Sequence, residues 1–190
     1  MKTINTYYFN ELDDSAKEVA IEKFRGEGDV YLEFFNDDCV ETAKEHGFEG
    51  KIGLQYSLSY CQGDGLSFSC EWFNSQKLHE IFVEVLGTGK DKTIETIMNN
   101  SYFNLKGNGG RYCYAHEKDL DYEFDDNIHA PNIESVVEKV QEILRGKYFD
   151  LCKELEKRGY DEIDYQYSDE YISTELIEQE YEFLENGKLI

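Results

Sequence analysis

In the stretch KIGLQYSLSY, Ile52, Leu54, Tyr56, Leu58 and Tyr60 alternate with Lys51, Gly53, Gln55, Ser57 and Ser59. A period of two sustained over this run predicts a strand with one buried face and one wet face. The turn CQGDG follows, and LSFSCEW returns with Leu66, Phe68, Cys70 and Trp72 on one face. Together they predict a β-hairpin. A second hairpin is expected to join SYFNLK to RYCYAH through Gly107, Asn108, Gly109 and Gly110. The β-branched and aromatic run from Thr3 to Phe9 predicts an opening strand.

Helical spacing fills most of the remainder. In ELDDSAKEVAIEKFRG, Asp14 or Ser15 can cap a helix whose stripe is Ala16, Val19, Ala20 and Phe24, with Gly26 as its stop. A second helix is expected from Val30 to His46, closed by Gly47. Two shorter ones cover Ser75 to Val85 and Lys92 to Asn99, divided by Gly87 and Gly89. After Pro131 comes the longest helix, with Val136, Val140, Ile143, Tyr148, Leu151 and Leu155 near one face. Gly146 is its weak point and Gly159 its expected cap. A final helix from Ser173 to Leu184 leads to ENGKLI, a turn with a short strand. Hairpin-joined strands with helices in separate runs predict the α+β class. The expected architecture is an antiparallel sheet of two hairpins plus the N-terminal strand, packed against about six helices.

The chain has 190 residues, a single proline and no Pro/Ser-rich linker, so one compact domain over residues 1–190 is expected. No stretch approaches the ~20 consecutive apolar residues of a membrane span. The start, MKTINTYYFN, has no apolar signal-peptide core, which predicts a cytosolic protein. Cys39, Cys61, Cys70, Cys113 and Cys152 are odd in number and form no C-x2-C pair. Reduced thiols are therefore expected, with neither a disulfide framework nor a standard zinc site.

Charge changes the picture most. There are 41 Asp and Glu against 19 Lys and Arg, a formal net of -22, while 40% of the chain is apolar and 15% aromatic. That is a real core under a strongly negative exterior, which repels free DNA and attracts basic protein surfaces. EKDLDYEFDD, from Glu117 to Asp126, holds six carboxylates and one lysine. From Tyr160 to Ile190, ten carboxylates face one lysine, with Tyr160, Tyr165, Tyr167, Tyr171 and Tyr181 among them. Tyrosines interleaved with carboxylates can stack on arginine while the acids pair with it. The expected partner surface takes its charge from Asp119, Asp121, Glu123, Asp125, Asp126, Asp161, Asp164, Asp169 and Glu170, with Tyr165 and Tyr167 stacking. The plainer reading is a solvated face, which is what most charge runs are.

Catalytic signals are weak. Cys113, His116, Glu117, Asp119 and Asp121 crowd the end of the second predicted hairpin, and His116, Glu117 and Asp119 could serve a metal-dependent RNA nuclease. With acids this abundant, chance clusters are expected, so no metal and no cofactor is assigned. The glycine clusters precede no helix as a phosphate loop does, and neither G-x-S-x-G nor H-E-x-x-H occurs.

The opening YYFNELDDSAKEVAIEKFR and the close SDEYISTELIEQEYEFLENGKLI resemble the two ends of small acidic proteins encoded by phages and plasmids. Some of that group carry an antitoxin-like label, and certain anti-CRISPR proteins of similar mobile elements are also small and acidic. The resemblance covers about a quarter of the chain and transfers no catalytic residue. It implies a mobile-element accessory protein. Joined to the acidic surface, the expected function is inhibition of a host nucleic-acid-directed defence system, such as a CRISPR effector, by docking on its basic nucleic-acid-binding groove. An antitoxin masking a basic toxin is the alternative partner reading.

Overall fold

The computed structural model describes residues 5–107, 113–115, 118–125 and 132–190. In chain order the elements are β1 (Tyr7–Tyr8), α1 (Asp14–Glu27), α2 (Glu33–Glu45), β2 (Phe48–Glu49), β3 (Gly53–Ser57), β4 (Gly65–Ser69) and β5 (Trp72–Phe73). Then follow α3 (Ser75–Leu86), α4 (Asp91–Asn99), β6 (Ser101–Gly107), β7 (Lys118–Phe124), α5 (Ile133–Gln166), α6 (Asp169–Glu178) and β8 (Glu182–Phe183). The class is α+β, as the pattern predicts. The strands form four antiparallel pairs, β1–β8, β2–β5, β3–β4 and β6–β7. The N-terminal strand therefore pairs with the end of the chain and does not join the hairpins. No helix among the described residues is long and apolar enough to cross a membrane.

Backbone contacts divide the chain into two compact units, a larger one, Glu33–Gly159, and a smaller one made of Met1–Leu32 and Tyr160–Ile190. In the larger unit the alternating stretch forms β3–β4 with Leu54 opposite Phe68 and Tyr56 opposite Leu66. The Asp64 carboxylate holds the turn by accepting from the backbone N–H of Ser59 (2.6 Å) and Cys61 (2.9 Å). The core beneath is aromatic. Phe48 meets Phe68 and Phe73 edge-on, each at 5.1 Å between ring centres, and Phe68 meets Tyr148 of α5 at 4.9 Å. Edge-to-face pairs of this kind add about 1 kcal/mol each beyond burial. The Tyr148 hydroxyl donates to the Phe68 carbonyl (2.9 Å) and accepts from its N–H (3.2 Å), so that strand's backbone is satisfied inside the core.

α5 runs unbroken through Gly146 and Gly159, against the expected weak point and cap. At Gly159 the reason is packing. A Cβ there would lie 2.5 Å from Leu58 Cδ1 and 2.9 Å from Phe35 Cζ, so the glycine serves a close approach and not a helix end.

The smaller unit packs α1 against α6 around Phe9, Leu12, Ala16, Ala20, Ile172, Leu176 and Phe183. Asp13, one residue before the expected caps, accepts from the Ala16 N–H at 2.8 Å and starts α1. The helix passes Gly26 and ends at Glu27. Val19, placed in the buried stripe by spacing, is exposed, while Ala16 and Ala20 are buried. α6 starts four residues earlier than expected because Ser168 caps it, accepting from the Tyr171 N–H at 3.2 Å. It stops at Glu178, two residues before Glu180 enters the left-handed region at φ 53°, freeing Glu182–Phe183 to become β8. Gly187 sits at φ +76° against the Ala16 carbonyl, where a Cβ would lie 2.0 Å away.

Candidate functional site

The structure rewrites the first acidic run. Strand β6 pairs with Lys118–Phe124 and not with RYCYAH, of which Cys113, Tyr114 and Ala115 are described and lie outside any strand. The acidic segment is thus the second strand of the hairpin, with Leu120 and Tyr122 buried on one face. Asp119, Asp121 and Glu123 alternate with them and share the other face. The register sets Lys106 opposite Asp119, Asn104 opposite Asp121 and Tyr102 opposite Glu123. The Tyr102 hydroxyl donates to the Glu123 carboxylate. From α5, Arg145 donates to the Leu120 carbonyl (3.0 Å) and lies 3.5 Å from Asp121. Asp125 follows the strand and donates its N–H to the Asn100 carbonyl at 2.8 Å. This stripe is real but substantially answered by its neighbours.

Asp126, His116 and Glu117 lie outside the described residues. Of the nuclease trio only Asp119 is described, exposed on the hairpin. Among the described residues no group of three or more His, Cys, Asp or Glu is placed to hold a metal ion. Burial pushes the Cys39, Cys70 and Cys152 thiols up to about 12. Thiols held that far above neutrality are structural groups and not nucleophiles. Tyr114 lines a small hollow with Phe149 and Cys152 of α5.

The second acidic set belongs to the smaller unit. Asp161, Asp164 and Tyr165 fall at i, i+3 and i+4 on the last turns of α5, so they share one helical face. Tyr165 is 52% exposed, and its ring meets Tyr171 edge-on at 5.3 Å. Tyr167, Asp169 and Glu170 continue the exposed surface around the start of α6. Asp169 is engaged: Arg25 of α1 pairs with it and with Glu22, and donates its Nε–H to the Tyr167 carbonyl at 2.9 Å. The structure thus places Asp119, Asp121 and Glu123 together in one unit, and Asp161, Asp164, Tyr165, Tyr167, Asp169 and Glu170 together in the other.

A feature that sequence reasoning missed lies in the smaller unit. A cleft of about 480 Å³ opens between α1, α6 and the chain's end, walled by Phe24, Tyr31, Tyr171, Tyr181 and Phe183. Gln166 fixes its rim by accepting from the Tyr31 N–H (2.9 Å) and donating to the Tyr31 carbonyl (2.8 Å). Partial burial, followed by the nearby Glu175 and Glu162 carboxylates, raises the Tyr171 phenol above its ordinary pKa. The wall residues come from both ends of the chain, so the only sequence signal was their aromatic character. Assembling them takes the packing of α1 against α6. No protein-family profile, curated protein or solved structure matches this chain.

Proposed function

We propose that this chain is a mobile-element accessory protein that inhibits a host nucleic-acid-directed defence system, in the manner of an anti-CRISPR protein. It does so by docking a carboxylate-rich surface on a basic nucleic-acid-binding groove. The observation that carries this reading is the surface of the smaller unit around Asp161, Asp164, Tyr165, Tyr167 and Glu170. Exposed carboxylates alternate there with exposed rings, and Arg25 is the cation that reaches into it among the described residues. Carboxylates at helical spacing can stand where phosphates would stand, and the tyrosines offer faces to arginine.

The test is capture of the partner from host lysate at low salt, followed by affinity measurement on the identified protein. A basic nucleic-acid-binding protein should be captured, lose about tenfold or more in affinity between low and high salt, and be released by competing nucleic acid. Affinity insensitive to salt, or no competition by nucleic acid, sinks the reading.

A further inference from the structure

The cleft in the smaller unit combines an aromatic lining with unanswered negative charge, and these two properties together select a ligand class. Its volume, about 480 Å³, lies within the range of about 300–1,000 Å³ usual for ligand sites. Phe24 and Tyr181 meet edge-on at 5.8 Å and form one wall, while the Tyr31 ring is 71% exposed at the rim. Glu175, Asp29 and Glu27 bring three carboxylates to the same cleft. Lys23 is the cation in the lining, and it is occupied by its ion pair with Glu27 one helical turn on. Among the described residues no lysine or arginine pairs with Glu175 or Asp29. An apolar ligand would leave those carboxylates desolvated and unpaired. An anion would be repelled by them. A cation with a flat, polarisable face satisfies both walls and charge.

We propose that this cleft receives an arginine side chain of a basic partner protein, as the anchor of the docking described above; the proposal rests on that reading. The guanidinium stacks on the tyrosine and phenylalanine faces and donates to Glu175, with Asp29 near the mouth. Arginine fits better than lysine, because its planar fork stacks on rings and pairs with a carboxylate through two parallel bonds. Gln166 supports the site from behind by holding the Tyr31 backbone in place before the ligand arrives. Preorganisation of that kind lowers the ordering cost of binding.

The probe is a nona-arginine peptide titrated calorimetrically into the intact protein at low salt, with nona-lysine as comparison. Glu175→Gln, inside the cleft, is set against Glu178→Gln, which removes the same charge from the exposed last turn of the same helix. The expected result is a loss of about tenfold for Glu175→Gln and under about twofold for Glu178→Gln, with nona-lysine weaker than nona-arginine. Tyr31→Ala removes an exposed ring and leaves the Gln166 contacts, which are to backbone, so it tests the site without threatening the fold. It should weaken nona-arginine and erase its advantage over nona-lysine. Equal losses from the two glutamate variants, with no preference for arginine, would overturn the anchor and leave acidic docking standing. No binding of nona-arginine at low salt would overturn both.

Discussion

The two units carry nearly equal negative charge on very unequal lengths of chain. Residues 1–32 and 160–190 hold 17 Asp and Glu against 5 Lys and Arg, a net of -12 on 63 residues. Residues 33–159 hold 24 against 14, a net of -10 on 127 residues. The larger unit has more cations for its acids. Arg145 lies beside Asp121, Arg158 reaches Asp38 and Glu154, and Lys106 stands opposite Asp119. In the smaller unit Arg25 reaches Glu22 and Asp169, and Lys23 reaches Glu27. Charge left unanswered works against compaction. A small unit that keeps it must be closed by packing, and here the closure comes from the two chain ends meeting in β1–β8 and at Gly187.

The sharpest way to break this comparison is Gly187→Ala. The substitution puts a side chain at φ +76° and a Cβ 2.0 Å from the Ala16 carbonyl, so α1 and the C-terminal turn must separate. A loss of about 3 kcal/mol is expected. Hydrogen exchange should accelerate in α1 and α6 and stay slow in α3 and α4. Equal loss of protection in all four helices would show that the units do not differ as argued.

The complementary change is Tyr148→Phe in the larger unit. It removes the hydroxyl that serves both the N–H and the carbonyl of Phe68, whose side chain is fully buried. Two backbone groups lose a core partner, which should cost about 2 kcal/mol. Urea unfolding should report that loss, with exchange in α1 and α6 unaltered. A midpoint equal to that of the unchanged protein would mean that the hydroxyl contributes nothing and that ring packing alone holds this core.

How much of this was legible in the chain follows from the same contrast. The β3–β4 hairpin, α3 and α4 could be read because alternation, caps and glycine stops are local signals, and Asn74 and Gly87 bound α3 as such signals do. The β6 partner was misread because the carboxylates of KDLDYEF hid an alternation in which only Leu120 and Tyr122 needed burial. Nearby RYCYAH has stronger β formers and drew the assignment. Gly159 looked like a cap because its partners, Leu58 and Phe35, lie far away in sequence. The start of α6 was missed although Ser168 is an ordinary cap, and its end was missed because a glutamate, Glu180, takes the left-handed position that glycine usually marks. Of the acidic residues, their exposure was legible and their pairing was not. Nothing local says that Arg25 reaches Asp169 or that Arg145 reaches Asp121.

That pairing decides which carboxylates remain to meet a partner, and Asp169→Asn against Asp161→Asn measures it with the smallest expected effects. Asp169 is largely exposed and bound by Arg25, and it also lies in the first turn of α6, where a negative charge suits the helix dipole. Its loss should cost about 0.5 kcal/mol of stability, since exposed pairs are screened by solvent and hold long side chains in place. Asp161 has no cation partner among the described residues, so Asp161→Asn should leave stability unchanged or raise it slightly by easing repulsion. For affinity to the captured basic partner the order should reverse, with Asp161→Asn the more damaging. A carboxylate already holding a guanidinium gives little to a second one, whereas an unpaired carboxylate gives its full attraction. If Asp169→Asn weakens the partner as much as Asp161→Asn does, the field of the whole unit governs docking and the local pairing does not matter.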